Sequence, residues 1–212
     1  MRPGIYAINK GKRCFFKGRV LGHELLSGRQ VNVLIRRLAK AIYKDYVEKP
    51  APLLFIHVTN GGTWLYSRLR EELAELGFPL ERALDESLSS SAYGQGTELK
   101  RVKVETKFPQ GSLRGLHVVL VEDIIDSGGT ITAVIRQILL ADPLTVEVCA
   151  LLKRHTSEGI TPKYLAALVE FKDWLLGGGL DLNNRGRFLN GGGIIALTRW
   201  GKTYLMSLEP KL

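Results

Sequence analysis

The chain predicts an α/β fold, a mainly parallel sheet with helices on both faces, and three observations predict it. Short apolar, β-branched runs alternate with longer stretches whose apolar residues recur at helical spacing. Strand–helix–strand connections of that kind bring consecutive strands into a parallel sheet. Three unusual loops, at 59–62, at 122–130 and after Lys153, all follow predicted strands. Ligands on such sheets sit beyond the carboxyl ends of the strands, so the loops point to a single site.

Residues 30–46 place Val31, Leu34, Ile35, Leu38 and Ile42 on one face, with lysine and arginine on the other, which is an amphipathic helix. Pro50 and Pro52 end that segment and precede a strand over 53–58. Thr59, Asn60, Gly61 and Gly62 read as a turn. Thr63 then opens a second helix through Leu65, Leu69, Leu73 and Leu76, closed by Gly77 and Pro79. Residues 85–113 are rich in Ser, Gly and Lys and poor in core material. So long a stretch in a compact domain is a functional lid or a disordered segment. Parts of it, 101–106, alternate like a hairpin strand. A strand over 118–121 ends in an acidic edge, Glu122 and Asp123, then Ile124, Ile125, Asp126 and a loop of small residues. Ile131, Val134, Ile135, Ile138 and Leu139 return to helical spacing. Another strand, 146–152, ends at Lys153, Arg154 and His155. Segments 168–171 and 173–176 and a glycine-rich tail, 177–193, follow, and there is no internal repeat.

A length of 212 residues fits one domain with a sizeable core. No run of about 18 apolar residues exists, so no membrane partner is expected. Residues 1–12 are basic but lack the apolar centre of a signal peptide. Cys14 and Cys149 form no zinc or disulfide framework, and Cys149 sits in an apolar run where a buried thiol is the default. A reducing, cytoplasmic compartment fits; the ending Pro210-Lys211-Leu212 only loosely resembles a peroxisomal signal. A net charge of +9 favours anionic partners, either nucleic acid or a phosphorylated small molecule.

The loop 126–130 lacks the spacing of a Walker P-loop and is shorter, suited to one terminal phosphate. Small residues before a helix leave backbone N–H groups and the positive end of the helix dipole facing an anion. The bland alternative is a strand-to-helix turn capped by Ser127 or Thr130. Acids beside such a cradle suit a bridging divalent cation or sugar hydroxyls. Lys153 beside Arg154 reads by itself as one more surface cation, and Trp174 as a core aromatic. His57, between Ile56 and Val58, reads as a core histidine. His23, His117 and His155 have no metal-ligand spacing. The glycine runs 177–179 and 191–193 do not follow a strand and open a helix, which excludes a dinucleotide fingerprint.

The run Val121-Glu122-Asp123-Ile124-Ile125-Asp126-Ser127-Gly128-Gly129-Thr130 closely resembles the phosphoribosyl-diphosphate (PRPP) motif of type I phosphoribosyltransferases. Leu152-Lys153-Arg154, then residues 172–177, Gly179-Leu180-Asp181 and Arg187, resemble the base-binding end of the hypoxanthine-guanine branch in order and spacing. The likeness runs from about Val20 to about Ile195. It implies the type I phosphoribosyltransferase fold, with a core over about 20–197, a lid loop over about 86–113, and a small hood built from the N- and C-terminal parts. It also implies transfer of ribose 5-phosphate from PRPP to hypoxanthine or guanine, giving IMP or GMP and pyrophosphate, with magnesium as cofactor.

By resemblance, Asp126, Ser127, Gly128, Gly129 and Thr130 bind the 5-phosphate. Glu122 and Asp123 engage the ribose hydroxyls, partly through magnesium. Asp126 is the catalytic residue, a general acid or base at purine N7. Lys153 donates to the 6-oxo group, Trp174 stacks on the base, and Leu175 offers its backbone to the purine edge. Asp181 lies at the same purine end and holds a second magnesium. Asn60, Gly61 and Arg187 meet pyrophosphate, and Ala92 and Tyr93 belong to the lid. The family is commonly a homodimer or homotetramer.

Two departures stand out. Thr59-Asn60-Gly61 replaces the family's usual Leu-Lys-Gly, whose loop often carries a non-proline cis peptide, and Ala92-Tyr93 replaces Ser-Tyr. Two rival readings are a xanthine-preferring enzyme and a regulator of the same fold that binds RNA. The latter lacks a basic stripe interleaved with aromatics to read single-stranded bases.

Overall fold

A computed structural model of the chain describes residues 6–7, 10–88, 90–93, 101–104, 108–155, 157, 159–170, 172–180 and 192–208. In chain order its elements begin with β1 (Tyr6–Ala7), β2 (Arg13–Phe16), β3 (Arg19–Leu26), α1 (Gly28–Tyr46), β4 (Leu53–Val58) and α2 (Gly61–Glu75). A 3-10 turn at Leu80–Arg82 leads into β5 (Ala83–Leu88), then β6 (Ser90–Tyr93), β7 (Arg101–Val104), β8 (His117–Ile125) and α3 (Gly129–Leu140). The chain continues through β9 (Thr145–Arg154), β10 (Tyr164–Val169), β11 (Leu175–Leu176), β12 (Ile194–Leu197) and α4 (Arg199–Ser207).

The expected parallel sheet is present, six strands in the order β1-β10-β9-β8-β4-β5, every neighbouring pair parallel. β8 shows why a continuous apolar run belongs at its centre. Val119 and Val121 face a core built with α1 and α2, while Val118 and Leu120 face a second core built with α3. A strand covered on both faces has no solvent side to pattern with polar residues. α1 turns Val31, Leu34, Ile35, Leu38, Ala39, Ile42 and Tyr46 inward. It starts at Gly28, earlier than its periodicity suggests, because Ser27 and Gln30 form a capping box. The Gln30 N–H donates to Ser27 Oγ at 3.4 Å and the Ser27 N–H to Gln30 Oε1 at 2.9 Å.

A second, antiparallel sheet, β11-β12-β3-β2, joins N-terminal and C-terminal segments and corresponds to the expected hood. α4 follows it, capped by Thr198, whose hydroxyl accepts from the Gly201 N–H at 3.0 Å and donates to Val20 O at 2.8 Å. β6 and β7 form a two-stranded antiparallel ribbon within the expected lid, with Ala92 opposite Val102 and Tyr93 opposite Arg101.

Two sequence expectations need correction. Gly61 and Gly62 are not a turn before a helix opened by Thr63; they are the first turn of α2. Glu122 and Asp123 are not an edge beyond a strand ending at 121; β8 runs through them to Ile125. Leu168 and Val169 end β10, which begins at Tyr164. Leu175 and Leu176 form β11.

Candidate active site

The site is built from four chain segments at the carboxyl ends of neighbouring parallel strands. β4 delivers Thr59 and Asn60, β8 delivers Glu122, Asp123 and Asp126, β9 delivers Lys153 and Arg154, and β10 leads on to Asp173 and Trp174. Register fixes the alignment: Ile125 on β8 lies opposite Lys153 on β9, and Lys153 lies opposite Leu168 on β10.

Between β8 and α3 the chain makes its tight turn at Gly128, whose φ of +85° is left-handed and suits glycine. No side chain caps α3. The cap position is Gly128, so neither Ser127 nor Thr130 is the N-cap residue, and Ser127 Oγ accepts a long 3.5 Å bond from the Gly129 N–H. The first N–H groups of a helix have no intrahelical carbonyl partner, as an anion site requires. A cavity of about 230 Å³ opens there, lined by Thr59, Glu122, Asp126, Ser127, Gly128 and Thr130 among others. That is below the range of about 300–1,000 Å³ usual for whole small-molecule sites, a scale suited to one substituent of a ligand.

Glu122 and Asp123 are both buried, which rules out a solvated edge. Glu122 Oε1 accepts from the Asp123 N–H at 3.3 Å, and Asp123 Oδ1 from the Ile124 N–H at 2.8 Å. Burial, followed by the adjacent Asp123 charge, pushes the Glu122 carboxyl well above its ordinary range. α2 begins directly against this pair. A Cβ added to Gly61 would fall 1.8 Å from Asp123 Oδ2, and one added to Gly62 would fall 2.5 Å from Val121 O. The two glycines permit that contact. The peptide between Thr59 and Asn60 is cis, in the loop where the family resemblance raises that expectation.

These donors suit a hard divalent cation. Magnesium takes one or two protein carboxylates and completes its shell with water and substrate phosphate oxygens. Among the described residues no group of three or more His, Cys, Asp or Glu forms a self-sufficient metal cage.

On the far side of the loop, Trp174 is 42% exposed, so it is not a core aromatic. The Lys202 ammonium, from α4, lies 4.5 Å from the centre of its ring. Leu175 is buried in β11. Lys153 is half-buried and donates to Ser157 O at 3.1 Å. Asp181 and Arg187, and Arg185 beside them, lie outside the described residues. Ala92 and Tyr93 are placed in β6, with nothing described of their side chains.

Arg154 is a site residue to which sequence reasoning assigned no role of its own. It is buried, its Nε donates to Asp126 Oδ1 at 2.5 Å, and its Nη2 donates to Asp173 O at 2.9 Å. The missed signal was strand alternation: neighbouring cations on a buried strand cannot both face solvent. His57 is the core histidine expected, stacked on Tyr66 at 4.8 Å between ring centres and bonded through Nδ1 to Thr63 Oγ1 at 2.9 Å. Cys149 is buried and free, as expected, and burial pushes its thiol upward.

Comparisons with known proteins converge on this arrangement. The family model described as "phosphoribosyl transferase domain" matches residues 22–174. A hypoxanthine phosphoribosyltransferase of Haemophilus influenzae is 28% identical over 78% of this chain and 90% of its own length. A hypoxanthine-guanine phosphoribosyltransferase of Mycobacterium bovis is 29% identical over 78% of this chain and 82% of its own. Among solved structures, a hypoxanthine phosphoribosyl transferase of Trypanosoma cruzi superposes with a TM-score of 0.76. It is 22% identical and covers 92% of this chain and 100% of that one. At that identity the likeness carries the fold.

Proposed function

The chain belongs to the phosphoribosyl transferase domain family, and from that premise we propose that it is a purine-salvage enzyme. It transfers ribose 5-phosphate from PRPP to hypoxanthine or guanine, giving IMP or GMP and pyrophosphate. The observation that carries this reading is the joining of two half-sites. The anion loop at Asp126 and the base-binding end at Asp173 and Trp174 are tied by one buried guanidinium, that of Arg154. The names of the relatives in Haemophilus and Mycobacterium support the choice of base.

In this reaction the bond from the anomeric carbon to the pyrophosphate oxygen breaks, and a bond from that carbon to a purine ring nitrogen forms. Positive charge develops on the ribose and negative charge on the leaving group. Ser127, Gly128, Gly129 and Thr130 hold the 5-phosphate with hydroxyls and backbone N–H groups. Glu122 and Asp123 orient the ribose through its hydroxyls and stand beside the developing positive charge. Glu122 and Asp123 would hold one magnesium and Asp181 a second, and the bound metal would supply positive charge to offset that of the leaving pyrophosphate. Asp126 holds or takes the purine proton at N7 while the other ring nitrogen bonds to carbon. Lys153 donates to the 6-oxo group; an ammonium has no acceptor, so the 6-amino group of adenine gains nothing there. Trp174 stacks on the base and Leu175 meets its edge through the backbone. Asn60, Gly61 and Arg187 receive pyrophosphate, and the lid ribbon bearing Ala92 and Tyr93 excludes water. Holding base and ribose in line supplies much of the acceleration. The enzyme works as a homodimer or homotetramer in the cytoplasm, and among the described residues no helix is long and apolar enough to cross a membrane.

The test is pyrophosphate release from PRPP and magnesium in the presence of hypoxanthine, guanine, xanthine, adenine or uracil. Turnover with the first two, and none with adenine or uracil, is expected. Turnover confined to xanthine moves the reading to the xanthine branch. Inactivity with every base, coupled to tight RNA binding that weakens steeply with salt, overturns the reading in favour of a regulator.

A further inference from the structure

Arg154 combines features that a surface cation does not. Its side chain is 11% exposed, whereas the Asp126 side chain to which it bonds is 71% exposed. The carboxylate stands on a loop, free of enclosure by its own surroundings, and the anchored member of the pair is the arginine. One planar guanidinium reaches two different loops. Nε donates to Asp126 Oδ1, after β8, and Nη2 donates to the carbonyl of Asp173, next to Trp174. The Asp173 carboxylate is in turn paired with Lys10 at 2.7 Å, so the base loop is fixed by its backbone and by its side chain. The guanidinium is rigid and its donors diverge at set angles, so the two loops cannot shift independently while both bonds persist.

We propose that Arg154 is a positioning residue, one that holds the Asp126 carboxylate in register with the ring of Trp174 through a single buried fork. This rests on the reading of Asp126 as the proton-handling group of a purine phosphoribosyltransferase. Arg154 touches neither substrate. It sets the distance between the group that manages the purine proton and the ring that stacks on the purine. A displacement of about 1 Å in such a constellation is worth roughly a hundredfold in rate.

The experiment is a double-mutant cycle on the full-length protein, with kcat and the KM values for PRPP and hypoxanthine measured separately. Arg154→Gln is expected to lower kcat about a hundredfold while KM for PRPP stays within about threefold. Arg154→Lys keeps the charge but loses the fork, and is expected to recover about tenfold of that loss. Added to Asp126→Asn, Arg154→Gln is expected to cost nothing further, because the group it positions is already gone. If the two losses multiply instead, or if Arg154→Gln keeps kcat within threefold of wild type, the positioning role is overturned. Wild-type turnover in Asp126→Asn alone overturns the reading of Asp126, a different failure. Where Arg154→Gln does not fold, Arg154→Lys runs the same cycle with the buried charge retained.

Discussion

Glu122 is where burial and chemistry conflict most directly in this protein. Its carboxyl is enclosed and stands beside a second carboxylate, and both effects favour its protonated form. An acid whose folded pKa is raised above its unfolded value adds stability that is fully present below the unfolded value, here about 4.5, and is lost as pH rises through the folded value. Glu122→Gln keeps the shape and cannot ionise. The variant is expected to melt above wild type at pH 8, with the gap closing toward pH 4. Each 1 kcal/mol of relief should read as about 2–4 °C in a chain of this size. Equal melting at pH 8, or a gap that widens in acid, contradicts the account. Glu122 and Asp123 were legible as site residues because residue type and spacing alone mark them. Arg154 was not, since its meaning lies in the distance between loops that begin at Asp126 and at Asp173, more than forty positions apart in the chain.

The start of α2 shows how an element, rather than a residue, shapes the site. Its first turn lies so close to β8 that Gly61 faces the Asp123 carboxylate with no room for a methyl group. Gly61→Ala must therefore drive the helix away from β8 or swing Asp123 from its bond to the Ile124 N–H. Gly77, past the other end of the same helix, has a φ of +79° and open space around it, so Gly77→Ala costs backbone strain alone. Both variants are expected to lose stability, about 1–3 kcal/mol by overpacking in the first case. Only Gly61→Ala should also lose kcat/KM for PRPP, by an order of magnitude or more. Thermal melting beside steady-state kinetics checks this, and equal activity in the two variants sinks it. β4 was readable from sequence to its exact limits because its six buried residues are bounded by prolines and a turn. The first turn of α2 was misread because glycines that permit close approach look the same as glycines that make a bend. The hood was implied by the family resemblance, but its strands escaped local pattern reading for another reason. β12 has four residues, and its partner β3 lies about 170 positions earlier, so no local pattern announces the pairing.

At the scale of the molecule, the matched family region ends at Trp174, and β11, β12 and α4 follow it to complete the hood beside the proposed base end. The chain carries 30 lysines and arginines against 21 acids. The proposed reaction uses one highly anionic substrate, PRPP, and one neutral substrate, hypoxanthine. A net positive protein draws an anion from a distance, while a neutral base is met only by contact. Ionic strength separates the two, because the screening length falls from about 30 Å at 0.01 M salt to about 3 Å at 1 M. With an inert monovalent salt and saturating magnesium, kcat/KM for PRPP is expected to fall severalfold across that range. KM for hypoxanthine should stay within about twofold, since the proposed stacking on Trp174 and bond from Lys153 act inside the screening length. A parallel fall for both substrates would mean that salt perturbs the fold or the chemical step, not encounter. Insensitivity of the PRPP term would place the +9 charge on surfaces the substrate never senses. Charge distributed to serve the site thus predicts an asymmetry between two substrates of one reaction, which a merely solubilising surface does not.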